Sequence, residues 1–235
     1  MYSKTKKRIR NTILGTALSF SMVLPGIVVT APAVTAEAAA RTSGNSYGLA
    51  DSIQDGVILH CFNWKYSDIE AELPAIAEAG FTSVQTSPAQ PSVKSGTWYW
   101  LYQPLGFYVG TNDLGSKEDL EDLCDEAEKY DINVIVDVVA NHLAGDHTNI
   151  QGDLKDSQYW HTYGKVTSWA DRDQVINGEI GMPDLNSEHP YVYQTVSNYI
   201  DELQDLGVDG IRWDAAKHIG LPSEGCNIWP EVTDQ

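Results

Sequence analysis

The segment "GIRWDAAKH" (residues 210–218) places four polar side chains at the end of a short apolar run. These side chains belong to Arg212, Asp214, Lys217 and His218. Successive side chains of an extended strand point to opposite sides, so Arg212 and Asp214 are predicted to share one side of a strand. Such a pair is typical either of a buried ion pair that holds strands in register or of a functional site.

The strand in this segment is the last of four predicted strands, which alternate with helices. The strands are predicted at residues 56–64, 81–89, 132–142 and 208–216, and the helices at residues 67–80, 116–130 and 189–207. Ser67 and Ser116 are good N-cap residues for the first two helices, and Gly80 is a good stop for the first. This alternation predicts a parallel sheet covered by helices.

Polar residues gather at the carboxyl end of every predicted strand. They are His60 and Asn63, Gln85 and Ser87, Asp137, Asn141 and His142, and Arg212, Asp214 and His218. Because active sites of (β/α)8 barrels form at this end of the strands, we predict an α/β fold, the N-terminal half of a (β/α)8 (TIM) barrel. Four strands cannot close a barrel, so it is expected to be incomplete in this chain. A doubly wound open sheet is the alternative, although no Gly-rich phosphate loop follows the first strand.

The chain is predicted to contain four kinds of segment. Residues 1–40 combine basic residues, an apolar stretch and small residues, as is typical of a secretory signal peptide. A membrane anchor is the competing interpretation, but a proline and several hydroxyl residues interrupt the apolar stretch. Residues 41–55 form an approach segment, and residues 56–142 and 189–235 form the partial catalytic barrel. Residues 143–188 are polar and lack a strong period, which predicts a small inserted subdomain.

The charge of the chain limits its partners. After the predicted signal peptide is removed, 10 Lys and Arg residues oppose 32 Asp and Glu residues. A surface of this charge repels nucleic acid and anionic lipid. It favours a neutral substrate or a cation as the partner.

The three cysteines are Cys61, Cys124 and Cys226. In a secreted protein, this number is compatible with one disulfide and one free thiol, or with three buried thiols. No CxxC pair occurs, which argues against a zinc site built on thiolates.

Five short motifs together resemble the α-amylase superfamily of glycoside hydrolases. Three of them, "DVVANH" (137–142), "MPDLN" (182–186) and "GIRWDAAKH" (210–218), follow one another as they do in that family. Two more, "WYWLYQP" (98–104) and "QTSP" (85–88), are similar to those of secreted bacterial α-amylases that resemble animal ones. The resemblance spans nearly all of the chain that follows the predicted signal peptide.

The resemblance implies retaining endo-hydrolysis of α-1,4-glucosidic bonds in starch, glycogen or maltooligosaccharides. Asp214 would be the nucleophile that forms a covalent glycosyl-enzyme. Arg212 would keep Asp214 ionised and oriented, and Asp137 would brace Arg212 from the neighbouring strand. His142 would donate a hydrogen bond to a sugar hydroxyl, and Lys217 would contact a hydroxyl on the leaving-group side.

The aromatic run that begins with "WYWLYQP" is expected to bind sugar rings. Flat aromatic rings match the apolar C–H faces of sugars. The resemblance implies that Tyr102 is the stacking platform and that Tyr99 and Gln103 are further subsite contacts. Not all of these rings can face a groove, so we expect Trp98 or Trp100 to lie in the core. A hydrophobic minicore under a long loop is the alternative for each ring.

The resemblance also implies a calcium ion that ties the inserted subdomain to the barrel. Asn141, Asp184 and His218 match the calcium site of the family. Calcium prefers six to eight oxygen ligands, so His218 would contribute its backbone carbonyl and not its imidazole. A further carbonyl would come from near Gln174 or Val175. Without the resemblance, a zinc site built on histidine would rank above calcium.

A retaining glycosidase needs two carboxyl groups, and the resemblance assigns only Asp214 within this chain. The general acid of the family is a Glu at the end of the fifth strand, which we expect beyond Gln235. Glu231 does not qualify, because no apolar strand leads to it. We therefore expect a fragment of an α-amylase precursor that is neither stably folded nor active alone.

Two other functions stay open at this point. A transglycosylase of the same superfamily shares these motifs, and a truncated, noncatalytic protein would still bind glucan through its aromatic groove. The expected partner is an α-glucan, with no nucleic acid and no membrane after signal cleavage. The protein is expected to be extracellular and to be a monomer when complete.

Overall fold

The structure, a computed structural model, describes residues 47–50, 52–145 and 149–233. The predicted signal peptide lies outside the described residues. Four strands are described: β1 Ile58–Cys61, β2 Ser83–Thr86, β3 Asn133–Val139 and β4 Gly210–Asp214. The described α-helices are α1 Tyr66–Glu78, α2 Lys117–Glu128, α3 Arg172–Asn177, α4 Pro190–Asp205 and α5 Ile228–Thr233. Each predicted strand and helix is therefore observed, and each covers fewer residues than predicted. Helix α1 begins one residue before its predicted start.

The four strands form one parallel sheet in the order β1-β2-β3-β4. Each strand pairs with the next one along the chain, as consecutive strands of a β/α barrel do. A doubly wound sheet has a point at which the strand order reverses, and these four strands have none. The sheet is open, because four strands cannot close into a barrel.

The interior strand β3 shows how the sheet separates its two sides. Val134, Val136 and Val138 are fully buried, and they alternate with Ile135 and Asp137 on the opposite side. The first set faces the packed core, whose fully buried members also come from α1, α2 and α4. These helix residues are Ile69, Leu73, Leu120, Leu123, Val192, Val196 and Leu203. Core packing on one side leaves the other side of the strands available for polar side chains.

The N-cap predicted for the first helix is wrong. Helix α1 begins at Tyr66 with Lys65 at the N-cap position, so Ser67 lies inside the first turn. Tyr66 is fully buried, and its backbone N–H donates to the carbonyl oxygen of Leu114 at 3.0 Å. Burial of this aromatic ring and a long-range hydrogen bond therefore decide where the helix starts, and the capping preference of serine does not.

The other two helix-end predictions are confirmed. Ser116 Oγ accepts a hydrogen bond from the Asp119 N–H at 3.2 Å, and the Asp119 carboxylate accepts one from the Ser116 N–H at 2.7 Å. This reciprocal capping box satisfies two backbone donors at the start of α2. Gly80 has a φ of +86°, a left-handed conformation that glycine adopts at little cost just after a helix.

Residues 143–188 contain α3 and two short 3-10 helices, Gly152–Lys155 and Ser157–Tyr159. Arg172 on α3 connects this segment to the loop after β4. Its guanidinium donates to the carboxylate of Glu224 and to backbone carbonyls of that loop. A charged, bidentate pair of this kind restricts both of its partners.

All three cysteine side chains are buried, and no disulfide bond joins them within the described part of the chain. This agrees with three buried thiols and not with one disulfide and one free thiol, the two possibilities that the number of cysteines allowed. None of the helices in residues 47–50, 52–145 and 149–233 combines the length and the apolar character of a membrane span.

The start of β1 leaves no room for a side chain at Gly56. A Cβ atom there would lie 1.7 Å from Oγ1 of Thr82, which accepts a hydrogen bond from the Val57 N–H. We expect Gly56→Ala to lower the free energy of unfolding by about 1–3 kcal/mol, because strands β1 and β2 must separate. Gly152→Ala is the matched control, since no atom lies within 4 Å of its added Cβ. Equilibrium urea denaturation of the complete protein, in which the barrel is expected to be closed, measures both, and equal midpoints for the two variants would contradict this account.

Candidate active site

The proposed nucleophile and its neighbours meet on two adjacent strands. Asp137 on β3 and Arg212 on β4 are direct partners in the strand register. Arg212 Nη1 donates to both carboxylate oxygens of Asp137 at 2.9 Å and to Oδ1 of Asp214 at 2.8 Å. One guanidinium nitrogen therefore links two carboxylates. The alternation along β4 predicted that Arg212 and Asp214 share one side, and the resemblance implied the contact with Asp137.

The three charged groups differ in their exposure to solvent. The Asp137 side chain is 1% exposed, that of Asp214 is 21% exposed and that of Arg212 is 45% exposed. Burial raises the pKa of Asp137, and the charge and hydrogen bonds of Arg212 oppose that shift. Burial lowers the pKa of Arg212, but its two carboxylate partners outweigh burial and raise it. Asp137 is thus the buried carboxylate of the cluster, while the Asp214 carboxylate is partly exposed to solvent.

The chain turns sharply directly after Asp214. Ala215 has a φ of +51°, which is uncommon for a residue that carries a Cβ atom. Strained backbone of this kind concentrates at functional sites, where the surrounding structure maintains it. The turn ends β4 and leaves the Asp214 carboxylate at the edge of a cavity.

This cavity has a volume of about 640 Å³ and lies at the carboxyl ends of the strands. Its lining residues are His60, Phe62, Gln85, Trp98, Tyr102, Asp137, His142, Arg212 and Asp214. All four strands or the loops that follow them contribute a side chain. The structure therefore brings together six of the ten strand-end residues from which the sequence predicted a single pocket. The other four, Asn63, Ser87, Asn141 and His218, are not among the lining residues of this cavity.

Three aromatic rings form one wall of the cavity. The ring centroids of Phe62 and Tyr102 are 6.2 Å apart with nearly parallel planes, and Trp98 lies 5.6 Å from Phe62 and 6.1 Å from Tyr102. Sequence reasoning missed Phe62, although its position one residue after β1 was a usable signal. The wall presents flat apolar surface beside the charged cluster.

The expectation that Trp98 or Trp100 lies in the core is wrong. Trp98 is 51% exposed and lines the cavity, and Trp100 is partly exposed. Leu101, with 1% of its surface exposed, is the residue next to these tryptophans that enters the core, and Phe107 further along the run is also buried. The 3-10 helix Trp98–Trp100 lies at the surface, so its large rings remain outside while the smaller leucine packs inward.

Three of the predicted substrate contacts lie outside the cavity wall. Tyr99 is 43% exposed and contacts neighbouring rings. Gln103 lines a separate cavity of about 200 Å³. Lys217 places its Nζ 5.0 Å from the ring centroid of Trp169, a cation–π contact. Their roles in substrate binding stay predictions.

His142 lines the cavity and is held by a backbone contact. Its Nε2 lies 3.0 Å from the carbonyl oxygen of Tyr102, so this nitrogen is the donor. Burial lowers the pKa of His142, which favours the neutral imidazole. The second nitrogen, Nδ1, is buried without a hydrogen-bond partner in the structure. The imidazole thus fixes Tyr102, and its unpaired nitrogen is an acceptor, whereas we expected His142 to donate to a sugar.

The residues predicted to bind calcium lie beside this cavity. Asn141 and Asp184 are buried, and the backbone of Leu185 donates to the Asn141 carbonyl at 2.9 Å. The imidazole Nδ1 of His218 donates to the carbonyl of Val175 at 2.7 Å. Nδ1 of His218 is therefore occupied by a backbone contact, and the backbone carbonyl of His218 stays the calcium ligand that the resemblance implies.

Sequence reasoning missed His161, which contacts both Asp184 and Glu188. Its Nδ1 lies 2.6 Å from Asp184 Oδ2, and its Nε2 lies 3.0 Å from Glu188 Oε2. Burial lowers the pKa of His161, but these two carboxylates outweigh burial and raise it to about 9. Burial raises the pKa of Asp184 to about 6, so the pair is ionised near neutral pH. No sequence motif pointed to His161, because it lies 23 residues before Asp184.

Asp184 keeps one oxygen available for a further cation. Among the described residues, its buried Oδ1 atom makes no hydrogen bond, although the side chain of Asn141 is near enough to oppose the rise in pKa that burial causes. A cation would compensate the remaining cost of burying this carboxylate. In the described part of the chain, no three His, Cys, Asp or Glu side chains form a group that could hold a metal ion. A metal here would therefore need amide and backbone oxygens, which are ligands that calcium accepts.

Comparison with known proteins identifies the family. The profile described as "Alpha amylase, catalytic domain" matches residues 65–234. An α-amylase of Clostridium acetobutylicum is 37% identical over 228 residues, which cover 92% of this chain and 30% of the relative. An α-amylase of Butyrivibrio fibrisolvens is 34% identical over 202 residues, which cover 79% and 21%. The chain thus spans less than a third of the length of these relatives.

Solved structures confirm the predicted fold, a partial TIM barrel. α-Amylase I of Eisenia fetida superposes with a TM-score of 0.68 at 23% identity, over 76% of this chain and 40% of the other. An α-amylase of Geobacillus thermoleovorans, solved with acarbose, has a TM-score of 0.66 at 26% identity, over 77% and 43%. Since the catalytic-domain profile covers more than half of the sequence, the chain belongs to the α-amylase family.

Proposed function

We propose that this chain carries the nucleophile of a retaining glycoside hydrolase, an α-amylase that cleaves internal α-1,4-glucosidic bonds in starch or glycogen. The observation that supports the proposal is the contact of Arg212 with both Asp137 and Asp214 in a cavity walled by aromatic rings. A fixed carboxylate beside flat apolar surface is what attack on a bound sugar requires.

In the proposed first step, a carboxylate oxygen of Asp214 attacks the anomeric carbon of the bound sugar. The bond from that carbon to the glycosidic oxygen breaks, and the leaving oxygen takes a proton from a general acid. Water then cleaves the resulting ester, which retains the configuration. Arg212 holds Oδ1 of Asp214 and thereby orients the carboxylate.

Asp137 is unsuited to be the general acid. Both of its oxygens accept hydrogen bonds from Arg212, and one also accepts from the hydroxyl of Tyr102. In retaining enzymes, the two catalytic carboxyl groups lie about 5–5.5 Å apart and face the same bond. We therefore propose that a carboxyl group other than Asp137 supplies the proton.

Sugar binding is proposed for the aromatic wall. The rings of Tyr102, Trp98 and Phe62 lie beside Asp214 in the cavity and offer surface for the apolar faces of glucose units. We assign Tyr99, which is exposed nearby, to a more distant glucose unit. We propose that Gln103 and Lys217 contact the substrate outside the reacting subsite, because neither side chain lines the cavity at Asp214.

A calcium ion is proposed to bind Asn141, Asp184 and the backbone carbonyl of His218. The support is the unpaired, buried Oδ1 of Asp184 beside the buried side chain of Asn141. The ion would supply positive charge that ties residues 143–188 to the ends of β3 and β4. We also propose that the protein is secreted, on the composition of residues 1–40, and that it acts as a monomer.

Covalent labelling of the complete enzyme that contains this chain tests the assignment of Asp214, because the chain alone is expected not to fold stably. A 5-fluoro-α-maltosyl fluoride needs no proton donor, because fluoride leaves without protonation. We expect the Asp214 carboxylate to displace fluoride, which leaves a maltosyl ester that mass spectrometry of peptides locates on Asp214. The assignment would be wrong if the label were found on Asp137 or on another carboxylate.

Two variants control this experiment. Asp214→Asn should abolish labelling, because a neutral amide is a poor nucleophile. Asp205→Asn changes an exposed carboxylate at the end of α4 and should be labelled like the unmodified chain. Loss of labelling in both variants would point to a general effect on folding and would count against a specific role for Asp214.

Removal of the Asp184 carboxylate tests the calcium proposal. We expect calcium to raise the melting temperature of the complete enzyme that contains this chain, because a ligand that binds only the folded state stabilises it. Asp184→Asn should lose most of this increase, while Asp173→Asn, an exposed change on α3, should keep it. Stoichiometric zinc without calcium in metal analysis, or an unchanged response of Asp184→Asn, would refute the site.

A further inference from the structure

The hydroxyl group of Tyr102 contacts the charged cluster and not only the cavity. Its Oη donates to Oδ2 of Asp137 at 3.0 Å. Burial raises the pKa of Tyr102, and the negative charge of Asp137 adds to this shift. The hydroxyl therefore keeps its proton and acts as a donor at neutral pH.

Three further contacts fix the position of this hydroxyl group. The carbonyl oxygen of Tyr102 accepts a hydrogen bond from His142 Nε2 at 3.0 Å. The ring lies nearly parallel to that of Phe62, and the ring of Trp98 meets it edge-on. Backbone and ring are thus held independently, so the hydroxyl has little freedom to leave Asp137.

Asp137 depends on this donor because it is buried. Among the described residues, only Arg212 and Tyr102 donate to its carboxylate from side chains, and Oδ2 receives both of them. Removing one donor from a buried carboxylate leaves part of its desolvation cost uncompensated. The carboxylate would then shift toward its remaining partner, the long and partly exposed side chain of Arg212.

A shift of Arg212 would reach the proposed nucleophile directly. Nη1 of Arg212 is the same atom that donates to Asp137 and to Asp214. Any rotation that follows Asp137 therefore lengthens or bends the contact with Asp214 Oδ1. Small displacements of a reacting group reduce rates strongly, because the attack requires a narrow range of distances and angles.

We propose that the Tyr102 hydroxyl is a positioning group that acts through Asp137 and Arg212 on Asp214, separately from the contact of its ring with sugar. The inference rests on the proposed function of Asp214 and extends it by one residue and one hydrogen bond. Tyr102 would thus have two separable roles, in which the ring face binds substrate and the hydroxyl orients the nucleophile.

The two roles predict different kinetic changes in labelling by 5-fluoro-α-maltosyl fluoride. Tyr102→Phe keeps the ring and removes only the hydroxyl. We expect the maximal labelling rate kinact to fall about 10- to 100-fold, which is the usual range for a lost hydrogen bond to a charged group. The half-saturating concentration KI should stay within about twofold of the original value, and Tyr102→Leu should raise KI in addition.

Matched variants separate positioning from a general loss of structure. Tyr108→Phe removes the hydroxyl of an exposed tyrosine outside the cavity and should leave kinact and KI unchanged. Asp137→Asn and the double variant with Tyr102→Phe complete a double-mutant cycle. If the hydroxyl acts through Asp137, the double variant should be labelled as slowly as Asp137→Asn alone. Independent, additive losses would overturn the proposed route.

The outcomes also distinguish this inference from the function on which it rests. If Asp214 is not labelled in the complete enzyme without substitutions, the proposed function fails, and the inference fails with it. If Asp214 is labelled equally fast in Tyr102→Phe, only the positioning role is overturned. A loss of cooperative thermal unfolding in Tyr102→Phe, or a rise in KI without a fall in kinact, would likewise overturn it.

Discussion

The contact of Arg212 with two carboxylates is the interaction on which the site depends. It joins β3 to β4 at the end of the sheet, where Asp137 is buried and Asp214 borders the cavity. A buried carboxylate without a cation would be strongly destabilising, so Asp137 requires Arg212. The same guanidinium nitrogen then has one remaining direction in which to donate, and Asp214 lies there. Stability and the orientation of the proposed nucleophile therefore come from one group.

The inserted segment meets the sheet close to this cluster through a second set of polar contacts. The backbone of Leu185 pairs with Asn141 just after β3, and Arg172 binds the loop after β4. His161 neutralises one side of the buried Asp184 carboxylate, and the other side has no partner in the structure. The charge balance at this junction is thus what makes a cation a reasonable addition. Through Arg172, this junction connects residues that are distant in sequence to the loop after β4.

Much of the site was predictable because strand-end residues follow a simple geometric rule. Parallel strands end at the same edge of a sheet, so His60, Gln85, Asp137 and Arg212 had to come close to one another. The family motifs then indicated which of these residues carry chemistry. The prediction failed where local preference competed with packing. Ser67 is a good cap by type, yet burial of its neighbour in α1 starts the helix earlier.

The sequence by itself determined the parallel order of strands and helices, the family, and the residues that converge on one cavity. These follow from periodicity and short motifs, which are local properties of the chain. Only the tertiary structure decided that Trp98 lines the cavity, that His161 binds Asp184, and that the Tyr102 hydroxyl reaches Asp137. Each of these is a contact between residues far apart in the chain or a choice between two neighbouring side chains. Such contacts depend on how loops pack over the sheet, and no local pattern encodes that packing.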